Sequence, residues 1–147
     1  MKGRIKMTKY EEMREKHQKE VDNFPIGFAF SDKQFEEQMK KLGLEPNQTN
    51  EVVSIGNGGF IRKKDIQDFE AMFERHSKEM EEAIANDKTG EGFIKEMFQF
   101  ELINHEYDYT HELDDTIEAL DLTKEKIRNN KALKNGLLLA INTIDTE

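Results

Sequence analysis

The side chains best placed for chemistry in this chain are Glu101, His105 and Glu106. Glu101 and His105 are four residues apart, so on a helix they share one face. Phe98 and Leu102 lie on that same face, where a polar pair must find partners or cost free energy. His76 falls on the apolar stripe of the preceding helical segment, and antiparallel packing would carry it toward the pair. Together His76, Glu101, His105 and Glu106 supply imidazole and carboxylate donors for a divalent metal or a general base. His111 and Glu112 add a second His-Glu step. Cysteine is absent, which excludes thiolate metal sites, disulfides and a cysteine nucleophile. The expectation is no cofactor, a divalent metal being the one that this cluster would admit. The spacing departs from His-Glu-x-x-His, because Tyr109 stands where the second His belongs. A hydrogen-bonded cluster that fixes helix register accounts for the same residues and is preferred.

Other motifs carry less. Asp87-Lys88-Thr89-Gly90 resembles the start of the phosphorylated-aspartate motif of P-type ATPases, but Glu91 replaces the expected Thr. A loop ending a helix is the better reading. Gly56-Asn57-Gly58-Gly59 fits neither a dinucleotide fingerprint nor a P-loop, and no EF-hand pattern occurs. Lys124, Lys126, Arg128, Lys131 and Lys134 give one basic helix after a helix-turn-helix-like step, which is the feature favouring a DNA-binding regulator.

These residues need a scaffold, and the pattern predicts an α+β fold: a predominantly helical single domain over 1–147 with one short antiparallel β-hairpin. Residues 1–7 are expected to be a flexible extension. Thr8 with Glu11, and Ser31 with Gln34, are capping-box signals that open helices. The aromatic stretch 24–30 is expected to be extended and buried. Val52-Val53-Ser54-Ile55 and Phe60-Ile61-Arg62 flank a glycine-rich turn and predict the hairpin. From Asp65, Ile66, Phe69, Phe73, His76, Met80 and Ile84 make the apolar stripe of one helix. A second helix follows around Phe93 to Leu102. An irregular stretch at 107–110 and two or three shorter helices finish the chain.

Charge is distributed unevenly. The chain carries a net charge of −9. Residues 65–121 hold 18 Asp and Glu against 4 Lys and Arg, whereas the remainder is mildly basic. A solvated helical face explains many such runs. A functional reading makes Glu70, Glu74, Glu81, Glu82, Asp114 and Asp115 the contacts for a basic partner, in a complex weakened by salt. The same acidity and a pI of about 5.1 disfavour direct nucleic-acid binding. The longest apolar run, Leu137 to Ile141, is too short to cross a bilayer, and no apolar stretch follows the basic start. A cytoplasmic protein is expected, with no membrane association. Nothing in the pattern fixes an oligomeric state.

Three segments carry a resemblance: Phe28-Ala29-Phe30-Ser31-Asp32-Lys33-Gln34-Phe35-Glu36-Glu37, Gly58-Gly59-Phe60-Ile61-Arg62-Lys63-Lys64-Asp65, and Met97-Phe98 through Glu101-Leu102 to Asn104-His105-Glu106-Tyr107. They resemble a group of short uncharacterised proteins from phages and prophages of Gram-positive bacteria, across residues 8–140. The resemblance transfers no catalytic residue. It implies a context in which small acidic proteins bind and block host proteins, defence nucleases among them. The leading expectation is therefore a non-enzymatic acidic binding protein that engages a basic surface of a host protein. The alternatives are a metal-binding protein or metal-dependent hydrolase centred on Glu101 and His105, and a helix-turn-helix-like regulator.

Overall fold

The computed structural model describes residues 6–146. Of the extension expected over 1–7, residues 1–5 lie outside the described residues. The chain is mostly helical with a small antiparallel sheet, an α+β architecture. Its elements are α1 (Lys9–Asn23), β1 (Gly27–Phe28), α2 (Asp32–Lys41), β2 (Val52–Gly56), β3 (Gly59–Arg62), α3 (Ile66–Asn86), α4 (Phe93–Asn104), α5 (Tyr107–Thr110), α6 (Asp114–Ala119), α7 (Lys124–Arg128) and α8 (Lys131–Asp145). Two compact units result, one of His17–Ser77 and one of the segment ending at Lys16 together with the chain from Lys78. The division falls within α1 and within α3.

In the His17–Ser77 unit, Ser31 Oγ accepts from Gln34 N at 3.2 Å while Gln34 Oε1 accepts from Phe30 N at 2.7 Å. This reciprocal cap starts α2 where the sequence pattern places it. The expected hairpin forms between β2 and β3, with left-handed backbone at Gly56, Asn57 and Gly58. A third strand, β1, pairs with the other side of β3, so the sheet order is β1-β3-β2. Phe60 at the centre of the sheet packs with Met39 and Leu42, flanked by Ala29, Phe35, Leu44 and Val52. Gly27 belongs in β1 because a Cβ there would meet the Phe60 ring at 2.6 Å. The expectation that 24–30 is a buried stretch needs correction. It is extended at β1, but Phe28 is 52% and Phe30 78% exposed. Gly27 faces the Phe60 ring, so its strand neighbour Phe28 points to the opposite face.

The second unit is organised by α4. Apolar residues on all sides of that helix require burial all round, and Ile94, Met97, Phe98 and Leu102 are fully buried. They join Tyr10, Tyr107, Ile117, Ile127, Leu133, Leu137 and Ala140 in one core. Thr8 and Glu11 cap the start of α1 reciprocally, with N···O distances of 3.0 and 3.1 Å. Asp87 accepts from the backbone N–H groups of Gly90, Gly92 and Ile94 at 3.0, 3.1 and 2.9 Å, the last of them in the first turn of α4. Its carboxylate is thus the hub of a turn. Residues 107–110, expected to be irregular, close instead into the one-turn helix α5, entered and left through left-handed residues Glu106 and His111. The last helix is also longer than expected, at 15 residues.

Candidate functional site

Glu101 is the most buried carboxylate of the predicted site, at 4% exposure. Position 101 lies on α4 beside the fully buried Phe98 and Leu102, so the charge depends on specific partners. Oε2 accepts from the Tyr10 hydroxyl and from Arg14 Nε at 3.0 Å. Oε1 lies 3.5 Å from His105 Nε2, the neighbour that the four-residue spacing predicts. The Arg14 guanidinium also lies over the Phe100 ring, 4.7 Å from its centroid. Tyr10 packs edge-on against Phe93 and is tilted against Phe100. Burial, and then the adjacent Glu101 carboxylate, push the Tyr10 hydroxyl well above the ordinary phenol value, so it stays a donor. With both carboxylate oxygens engaged, this arrangement ties α1 to α4 through one charged group. Glu106 is exposed at the start of α5.

His76 belongs to the other unit and is 8% exposed. Its Nε2 lies 2.6 Å from Glu20 Oε1, which also takes Arg75 Nη2 at 2.5 Å. The His17 ring stacks on His76 with centroids 3.8 Å apart and planes 15° apart. Phe73 closes the cluster edge-on at 5.7 Å. Hydrogen bonds from Arg75 first and His76 second draw the Glu20 carboxyl down to about 2. Among the described residues, no three His, Asp or Glu side chains are grouped so as to hold a metal ion.

The predicted partner-binding residues Glu70, Glu74, Glu81, Glu82, Asp114 and Asp115 are all exposed. Glu70, Glu74, Glu81 and Glu82 lie on α3, and Asp114 and Asp115 open α6. Over residues 106–121 the carboxylates of Glu106, Asp108, Glu112, Asp114, Asp115, Glu118 and Asp121 are all exposed. No Lys or Arg occurs between Lys95 and Lys124. Lys124 reaches Asp114 at 3.2 Å. Beside this segment, Ile103, Asp108, His111, Ile144 and Asp145 line a surface cavity of about 390 Å³.

The model of one protein family, described as a family of unknown function (DUF7659), matches residues 9–143. This chain belongs to that family. No curated protein and no solved structure matches it. Membership of DUF7659 brings no activity with it, so roles in this chain rest on geometry. Sequence reasoning missed Tyr10 and Arg14 at Glu101, and His17, Glu20 and Arg75 at His76. The only signal for them was spacing on their own helices: Tyr10 and Arg14 are four apart, and His17 and Glu20 three apart.

Proposed function

We propose that this chain is a non-enzymatic binding protein whose exposed carboxylates meet a basic surface of another protein. The observation that carries the reading is the 106–121 segment, which presents seven exposed carboxylates without a Lys or Arg of its own. Exposed like charges within a Debye length, about 8 Å at physiological salt, repel one another. A basic surface relieves that repulsion and is steered toward it, at a rate that falls with ionic strength. The resemblance to phage and prophage proteins supports a chain encoded by a phage or mobile element acting on a host protein. A defence nuclease fits this chemistry, because a groove lined with Lys and Arg for phosphates responds to carboxylates as well.

The test is association with purified nucleic-acid-processing host enzymes, measured across a salt series. Binding that falls as salt rises, that duplex DNA competes away, and that Glu81→Gln/Glu82→Gln/Asp114→Asn/Asp115→Asn weakens would support the proposal. Salt-independent binding, or binding untouched by the four substitutions, would overturn it.

A further inference from the structure

The cavity beside α5 combines charge with apolar walls. Ile103 at the end of α4 and Ile144 in the last turn of α8 supply the walls, and Ile103 is 54% exposed. Asp108 on α5 and Asp145 at the end of α8 supply two carboxylates. The last carbonyls of a helix carry the negative end of its dipole, which adds to the charge of Asp145. His111 completes the rim, with Nε2 3.8 Å from Asp145 Oδ1 and its ring edge-on to buried Tyr107 at 5.3 Å. Burial, and then the Asp145 charge, raise the Tyr107 hydroxyl above its ordinary value. At about 390 Å³ the space falls in the range of small-ligand sites, roughly 300–1,000 Å³.

We propose that this cavity receives an arginine side chain of the basic protein partner, a reading that rests on the function proposed above. Charge complementarity selects a cation, and the isoleucine walls select among cations. A guanidinium is flat and weakly hydrated, lies against apolar surface and meets carboxylates through paired N–H groups. An ammonium holds its water more strongly and gains less from the same walls.

The whole chain, labelled with ¹⁵N, is titrated with N-acetyl-arginine methylamide, and in parallel with the lysine analogue and with spermidine. The expected result is saturable binding of the arginine probe, with shifts confined to Ile103, Asp108, His111, Ile144 and Asp145. Affinity for the lysine analogue should be several-fold weaker. Asp108→Asn/Asp145→Asn should weaken the arginine probe by roughly tenfold, the scale of lost charge-assisted pairing. Both positions are exposed, and an unchanged ¹⁵N spectrum elsewhere reports that the variant is folded. Equal or tighter binding of lysine or spermidine, shifts spread along the 112–121 carboxylates, or no loss in the double variant would overturn the assignment. Loss of the arginine site while a basic protein still binds in a salt-dependent way removes this inference alone. An occupied cavity in a chain that binds no basic protein overturns both the proposed function and this assignment, because no partner then supplies the arginine.

Discussion

A buried carboxylate such as Glu101 survives in a folded core only if its charge is met, and two of its partners come from one turn of α1. Tyr10 donates its hydroxyl and Arg14 its Nε, so Tyr10→Phe removes one donor and leaves the other. The expected loss is about 1.5–3 kcal/mol, the range for a hydrogen bond to a charged group, read by urea unfolding at neutral pH. The raised Tyr10 value fixes the sign of an alkaline effect. The folded state holds that proton more tightly than the unfolded state, so the contribution is complete below pH 10 and declines as pH rises above it. Tyr10→Phe should flatten that alkaline slope, and a slope unchanged in the variant would assign it to another group. Glu20 works in the opposite direction. Its value is lowered from 4.5 to about 2, so its contribution is present above pH 4.5 and is lost as pH falls toward 2. Arg75→Leu should remove part of that acid dependence in a urea series between those limits. The half of the site that could be read in the sequence is Glu101 with His105, because four residues on a helix is a fixed geometric relation. Tyr10 lies 91 residues from Glu101, and Glu20 lies 56 from His76. Such pairings depend on which helices pack together, and helical periodicity holds no record of that.

At the scale of elements, local chemistry explains what was legible. Both capping boxes form where Thr8-Glu11 and Ser31-Gln34 stand, and the glycine-rich turn makes the hairpin. Each depends on residues within about four positions of one another. The strand β1 was not legible as a sheet member, since two residues are too few to show alternation. The exposure of Phe28 and Phe30 was hidden for a related reason: a run of aromatics states a need for burial without stating which face is covered. Close approach between elements is likewise a tertiary fact, and α8 shows it. A Cβ on Gly136 would run into the Ile94 side chain and come within 2.8 Å of the Gly90 carbonyl oxygen. Gly90 has a φ of +83°, and a Cβ there would strike the Ala132 carbonyl. Gly136→Ala should therefore cost about 1–3 kcal/mol by overpacking, despite the better helix propensity of alanine. Gly43, with φ +80° and open space where a methyl group would stand, is the control. Gly43→Ala should show only the left-handed penalty, about 1–2 kcal/mol. Denaturation midpoints of the two variants, with Gly90→Ala expected to lose most because it suffers both effects, check the argument.

At the scale of the whole molecule, the net charge of −9 bears on stability and on the proposed function with opposite signs. Exposed carboxylates without cationic neighbours repel in the folded chain, where they are held closer together than in an expanded one. Salt screens that repulsion, so the melting temperature at neutral pH should rise from low to moderate ionic strength. Neutralising single charges in the 106–121 segment should mimic salt. Glu118 and Asp121 suit the purpose, being exposed and away from the first turn of α6, where Asp114 and Asp115 favour the helix dipole. Glu118→Gln and Asp121→Asn should each raise stability by about 0.2–0.5 kcal/mol at low salt and by nothing measurable at high salt. The same substitutions should slow association with a basic protein and reduce its salt dependence. A surface shaped only by solubility would gain stability on neutralisation and lose no binding. A surface retained for a basic partner would show the two quantities moving against each other, residue by residue. Measuring both in one set of variants, by thermal melts and by association rates across a salt series, separates the two origins of the charge.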